Sequence, residues 1–299
     1  MADGTVVKSF NNYFTVAVGA EEYLCTQRGR FKKEGLRLLT GDRVGIAVQA
    51  AGRGTIEAVY PRASELVRPP VANVDQAVVV VAVTRPEPNL LLLDKLLVIV
   101  ERTGIHLLLV VNKADRLSDP DGENDGRTFW NEVISVYRRA EYPVLLTSAK
   151  TGEGMAELRE ACSGKVSVLA GASGVGKSSL LNALQPGLRL KTGETSSKIG
   201  RGRHTTRHVE LLRLEPDGFI ADTPGFTAVE LPEMEAPELV YGFPEMLPYH
   251  HRCRFSSCLH WQEPDCAVKE ALKRGEIDAG RYEHYLDFLR ELTARERRY

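Results

Sequence analysis

The chain has 299 residues, 43% hydrophobic and 26% charged, enough to bury more than one core and expected to form a soluble globular protein of two or three domains. Its formal net charge of −1 excludes a uniformly basic nucleic-acid binder, so any basic surface must be local. The longest apolar runs are of buried-strand length and Met1-Ala2-Asp3-Gly4 does not open a charged-then-apolar leader, so a cytoplasmic protein with no membrane contact is expected.

Residues 1–66 read as short strands separated by turns, with β-rich runs at 13–18, 22–26, 44–48 and 55–59 and a further lead at 37–39 into a Gly41-Asp42 turn. Short strands at this spacing predict a small barrel. Arg28, Arg30, Lys32, Lys33 and Arg37 cluster around Phe31, a composition that suits an RNA backbone with one stacked base or, equally, a solvated charged loop. Pro61-Arg62 and Arg68-Pro69-Pro70 mark a linker. Beyond it the pattern alternates between buried strands (77–83, 106–111, 144–147, 165–170) and amphipathic helices (90–102, 128–139, 154–162). The runs 208–214 and 218–221 are placed to pair about Glu215-Pro216-Asp217-Gly218. This is the pattern of a mostly parallel α/β sheet. From 231 onward the chain is cysteine-rich and ends in a helical pattern with Tyr282, Tyr285, Leu286, Leu289 and Leu292 on one face. The expected domains are 1–66, 67–230 and 231–299.

Gly171-Ala172-Ser173-Gly174-Val175-Gly176-Lys177-Ser178 fits G-x-x-x-x-G-K-[ST] between a strand and a helix, which makes it a nucleoside-triphosphate loop. Its backbone N–H groups would cradle phosphates, Lys177 would reach the β- and γ-phosphates, and the Ser178 hydroxyl, followed by Ser179, would bind Mg²⁺. Asn112-Lys113-Ala114-Asp115 follows the strand at 106–111 and matches N-K-x-D. Asp115 can accept from guanine N1–H and the exocyclic amine together, whereas adenine presents an acceptor at N1. Asn112 would take the opposite base edge and the neighbouring loop, the Lys113 stem would pack on the base face, and Ser148-Ala149-Lys150 resembles the S-A-K segment of the GTPase superfamily, whose backbone supports the guanine carbonyl. Asp222-Thr223-Pro224-Gly225 fits D-x-x-G, with Asp222 holding Mg²⁺ through water and the Gly225 N–H meeting the γ-phosphate. Either Thr205 or Thr206, with Thr206 preferred, would complete the Mg²⁺ shell from the loop at 191–207. The segment after Gly225 reads Phe226-Thr227-Ala228 and offers no side chain to orient water, which leaves His204 as a candidate catalytic group or as a phosphate contact for RNA.

The order is unusual. N-K-x-D and S-A-K precede the phosphate loop and D-x-x-G, the arrangement of a circularly permuted GTPase sheet. Three of five cysteines lie between 253 and 266, and Cys253, Cys258, His260 and Cys266 supply a closed Cys₃His set for structural Zn²⁺, with His250 and His251 as alternative ligands just outside it. Cys25 and Cys162 are expected to be buried small residues.

Together these pieces resemble the circularly permuted ribosome small-subunit-dependent GTPase A (RsgA/YjeQ) family over nearly the whole chain. The shared features include Gly-Arg-His-Thr-Thr at 202–206, Asp-Thr-Pro-Gly-Phe at 222–226 and the Cys₃His cluster. The resemblance implies an N-terminal OB-fold barrel, a central GTPase domain and a C-terminal zinc-binding helical domain. It also implies a GTP hydrolase that binds the 30S subunit and 16S rRNA late in assembly, is stimulated by that subunit, and uses one structural Zn²⁺ and Mg²⁺ with GTP. A monomer is expected by default. The competing expectations are a GTP-gated RNA-binding module with incidental turnover and a GTPase with a non-ribosomal protein partner.

Overall fold

The computed structural model describes residues 1–33, 35–67, 69–117, 126–185, 209–222 and 230–296. In chain order the strands are β1 (Ala2–Phe10), β2 (Tyr13–Val18), β3 (Glu21–Gln27), β4 (Arg43–Gln49), β5 (Arg53–Val59), β6 (Glu65–Leu66), β7 (Val71–Ala72), β8 (Gln76–Ala82), β9 (His106–Asn112), β10 (Val144–Thr147), β11 (Val166–Ala170), β12 (Glu210–Leu214) and β13 (Gly218–Asp222). The helices are α1 (Gly29–Lys33), α2 (Leu90–Glu101), α3 (Gly126–Arg139), α4 (Met155–Cys162), α5 (Lys177–Leu184), α6 (Leu247–His250), α7 (Ala267–Lys273) and α8 (Ala279–Glu296). They assemble into two compact units, Met1–Val78 with Gly154–Ala170 and Lys177–Thr227, and Val79–Glu153 with Gly171–Gly176 and Ala228–Tyr299. Among the described residues no helix is long and apolar enough to cross a membrane.

The first unit contains the expected barrel. β1 pairs antiparallel with β2 and β4, β2 with β3, and β4 with β5, while β3 and β5 run parallel and close the five strands into an OB-like barrel. Alternation along the strands sends Val6, Phe14, Val16, Cys25, Val44, Ile46 and Ile56 inward. The sequence reading missed β1, because Asp3, Gly4 and Lys8 interrupt its apolar pattern, and it set a strand lead at 37–39 where only Thr40 forms an isolated bridge to Val71. It also misread Phe31. That ring is buried in the barrel core, with the Arg30 guanidinium 4.8 Å over it, so it does not offer a face to a base. Nearby, Arg28 pairs with Glu57 and Arg30 donates to the Glu57 carbonyl.

The linker is fastened to the barrel. Fully buried Asp42 accepts from Arg62 Nε at 2.7 Å and Nη2 at 2.9 Å and from the Leu39 N–H at 2.7 Å. Asn73 donates to the Gly41 carbonyl and accepts from the Ala63 N–H. Gly41 (φ +94°) lies so close to the Ala72 carbonyl that a methyl group there would overlap it. The rest of this unit's sheet holds β11 parallel to β13, β13 antiparallel to β12 about the predicted turn, and β12 against β1.

The second unit contains β9 and β10, parallel and in the register Asn112 to Thr147, with the buried strand β8 beside β9. Helix α2 begins where the Asn89 side chain accepts from the Leu92 N–H, an N-cap. Its buried face carries Asp94, Leu97 and Val98. Val98 joins a core with Leu239, Phe243, Val268, Tyr285, Phe288 and Leu289 from the C-terminal helical region.

Candidate functional site: a guanine and phosphate loop, and a Cys₃His centre

Within the second unit the strand ends bring together the residues that the sequence assigns to a base. β9 ends at Asn112, and Lys113 takes a left-handed backbone (φ +66°) that turns the chain into the short 3₁₀ helix Ala114–Arg116. β10 ends beside it at Thr147, whose hydroxyl donates to Asn112 Oδ1 at 3.2 Å. Asn112 is thereby oriented so that its Nδ2 donates 2.9 Å to the Val175 carbonyl of the phosphate loop. Lys113 Nζ reaches the same loop, donating 2.9 Å to the Gly174 carbonyl, and it also donates to the Arg85 carbonyl. Burial, and after it the neighbouring Arg116, lowers the Lys113 pKa, while Asp115 opposes that shift.

Asp115 Oδ1 accepts from the Ser148 hydroxyl at 2.7 Å, and Lys150 Nζ lies 3.9 Å from Oδ2. Ser148 is tied down in turn, its carbonyl accepting from the Gly152 N–H and its own N–H donating to Glu153. Ala114 is buried and Ala149 follows Ser148 in the same turn. One carboxylate edge is thus fixed at the mouth of β9 and β10, within a cluster that also grips the phosphate loop.

Two glycines explain the loop's approach. Gly171 (φ +138°) packs on Val80, whose carbonyl a methyl group would overlap. Gly176 (φ +100°) lies against Asn112 Nδ2, where a methyl group would also collide. Neither conformation suits an L side chain, so the spacing of the motif is a backbone requirement. Ala172, Ser173, Gly174 and Val175 lie between them, and Lys177, Ser178 and Ser179 open helix α5. Thr205, Thr206, His204 and Gly225 lie outside the described residues, as does the Asp222 side chain at the end of β13.

The cysteine cluster is equally compact. The ligand atoms of Cys253, Cys258, His260 and Cys266 all lie within 4.8 Å of one another. A tetrahedral zinc with Zn–S near 2.3 Å and Zn–N near 2.05 Å requires S–S edges of about 3.8 Å and S–N edges of about 3.6 Å. The Cys253–Cys266 edge is 3.9 Å, and His260 Nδ1 lies 3.5 Å from Cys253 Sγ and 3.4 Å from Cys266 Sγ, so the donor set fits the ion in type and size. Burial lowers the His260 pKa to about 4 and pushes that of Cys258 up to about 12.

The loop carrying these ligands is held from outside. Glu263 accepts from the N–H groups of Leu259 and Trp261, Tyr285 donates to the Leu259 carbonyl, and Tyr282 donates to the His260 carbonyl. Sequence reasoning named the four candidate ligands that the structure brings together but missed these holders. The two tyrosines carried a signal, since they share one face of α8, but it reads equally well as core packing.

A third cluster was not foreseen. Buried Arg281 on α8 pairs with Asp94 on α2 and with Glu245, and its guanidinium stacks over Tyr137, Tyr142 and Phe243. Burial alone would lower the Arg281 pKa, but Asp94 and Glu245 hold it well above the ordinary value. Asp94 also accepts from the Tyr137 hydroxyl at 2.8 Å and faces His284 Nδ1 at 2.6 Å.

Comparison with known proteins agrees with this geometry. The family model described as RsgA GTPase matches residues 59–232, and that described as RsgA N-terminal domain matches residues 3–56. The chain is 47% identical to the small ribosomal subunit biogenesis GTPase RsgA of Moorella thermoacetica, covering 99% of each chain. It is 45% identical to the protein of the same name from Geobacillus kaustophilus, covering 100% of each. Among solved structures, it resembles YjeQ from Thermotoga maritima with a TM-score of 0.84 at 40% identity, covering 98% of each chain. It also resembles YloQ, described as a circularly permuted GTPase, with a TM-score of 0.82 at 36% identity, covering 99% of this chain and 96% of that one. The permuted motif order, the OB-like barrel and the Cys₃His cluster of the C-terminal helical region are thereby borne out as one fold. With a family model covering more than half its length and full-length relatives above 40% identity, the chain belongs to the RsgA GTPase family.

Proposed function

We propose that this GTPase acts on the small ribosomal subunit, binding it with its rRNA in the GTP state late in maturation and leaving after hydrolysis. The observation that carries the nucleotide half of this reading is the fixed Asp115 carboxylate, held by Ser148 beside an Asn112–Lys113 pair bonded to the phosphate loop. A carboxylate there accepts from two guanine donors and leaves adenine unsatisfied. The ribosomal half is supported by the printed name of the relatives from Moorella and Geobacillus, and by a five-stranded barrel of a type used for nucleic acid.

In this reading Gly171–Gly176 cradles the phosphates, Lys177 neutralises the β- and γ-phosphates, and Ser178 and Thr206 hold Mg²⁺, with Asp222 acting through water. Bound Mg²⁺ supplies charge neutralisation on the phosphate oxygens. The Gly225 N–H meets the γ-phosphate and His204 orients the attacking water. Cys253, Cys258, His260 and Cys266 hold one structural Zn²⁺, with no open position for catalysis. The functional division is 1–66 for RNA, 67–230 for nucleotide and 231–299 for the zinc module of a cytoplasmic monomer.

The test is GTP turnover alone, with purified small subunits, with large subunits and with bare RNA. Strong stimulation by small subunits only is the expected result, and His204→Ala should then abolish the stimulated rate while leaving nucleotide affinity within about twofold. Equal, slow turnover in every mixture would sink the ribosomal reading.

A further inference from the structure

The four ligands use one ring nitrogen of His260 and leave the other to be explained. Nδ1 faces the thiols, 3.5 Å from Cys253 Sγ and 3.4 Å from Cys266 Sγ, while Nε2 lies 2.9 Å from Nδ1 of His250. A neutral imidazole carries one N–H and one lone pair, and a metal takes the lone pair. With Nδ1 on the metal side, the His260 proton must sit on Nε2, and in a fully buried ring that N–H needs an acceptor. His250 Nδ1 is at the right distance.

The surroundings suit this role. The His250 ring meets His260 nearly edge-on, with centroids 5.1 Å apart at 81°, and it is flanked by Tyr241 at 5.8 Å and His251 at 4.8 Å. It ends α6, three residues before Cys253, so its backbone is fixed to the same loop as the first ligand. Glu263, Tyr282 and Tyr285 act on the backbone of residues 259–261, where His260 is held in a left-handed conformation (φ +56°). None of those three contacts reaches the ring's second nitrogen. The contact with His250 does.

We propose that His250 is a positioning residue of the Cys₃His centre. Its Nδ1 accepts the His260 Nε2–H and commits His260 Nδ1 to the metal, while its own proton sits on Nε2. The sequence offered His250 as a replacement ligand, and the geometry gives it the place behind the ligand instead. Outer partners of this kind raise ligand basicity and hold ring orientation, and their loss costs metal affinity roughly 10–100-fold.

The inference rests on the zinc reading above, and one titration separates the two. The full chain, stripped of metal, is titrated with Co²⁺ in competition with a chelator, following the thiolate charge-transfer and tetrahedral d–d bands. Wild-type protein without these bands would overturn the metal reading itself, and this inference with it. If the bands appear, His250→Phe and His250→Gln decide the role of His250. Phenylalanine keeps the ring packing against Tyr241 and lacks an acceptor, whereas the glutamine Oε1 can accept the same hydrogen bond. The expected result is the wild-type spectrum in both, with Co²⁺ binding weakened roughly 10–100-fold and metal release accelerated in His250→Phe, and most of the affinity recovered in His250→Gln. Unchanged affinity in His250→Phe would overturn the proposal. So would equal loss in both variants, which would mark a packing role, or wild-type affinity in His260→Ala, which would make His250 the ligand.

Discussion

In the proposed guanine site one side chain, Asp115, sets substrate choice. Its Oδ1 accepts from the Ser148 hydroxyl at 2.7 Å, which restrains the carboxylate beside the proposed base position. Asp115→Asn replaces an acceptor with an amide that opposes its own N–H to guanine donors, and a base with an acceptor at C2, such as xanthine, gains by the same exchange. GTP affinity is expected to fall by roughly 10–100-fold while xanthosine triphosphate tightens, read by competition against a fluorescent guanine nucleotide. Asp42 is a different case, with a structural role alone. Removing its charge with Asp42→Asn breaks the fork to Arg62 and weakens the hold on the Leu39 N–H inside the barrel. A loss of about 1–3 kcal/mol is expected in urea unfolding, since the buried charge-assisted bonds of Asp42 are lost while Arg62 keeps Glu65 and the Arg37 carbonyl.

Among elements, the phosphate loop was the most legible in the sequence and the network between α2 and α8 the least. Gly171 and Gly176 are dictated by backbone angle and by the Val80 carbonyl and Asn112 side chain beside them, so their spacing survives as a pattern. Gly176→Ala should abolish GTP binding in equilibrium dialysis while the circular dichroism spectrum stays native, because the collision is with one side-chain end, Asn112 Nδ2, at the end of β9. Arg281 carried no such signature. A lone arginine on an apolar helical face reads as a solvated cation until Asp94, 187 positions earlier, is seen beneath it. Strand β1 failed for a related reason, since its place is set by pairing with β2, β4 and β12 and its own alternation is broken by polar residues. Phe31 was misassigned because a sequence window shows an aromatic among basic residues and not the barrel interior it fills. Arg281→Ala leaves the buried Asp94 and Glu245 carboxylates without their shared cation, and urea unfolding should register a loss of about 3–5 kcal/mol.

At the scale of the molecule, two discontinuous units share one chain, and the Cys₃His loop, α8 and α2 all belong to the second. Metal removal by a chelator under reducing conditions should therefore lower amide protection in α8 and in residues 253–266 first, with the barrel strands unchanged in hydrogen exchange. The position of α8 has a further consequence, for biosynthesis. Asp94 and Val98 are translated first, and Arg281, His284 and Phe288, which cover that face of α2, come much later in the chain, Arg281 by 187 positions. Until those codons are read, the growing polypeptide carries a hydrated carboxylate and a bare apolar strip where the finished unit has its centre. A message truncated before position 279 would thus yield a substrate for proteases rather than a slower enzyme.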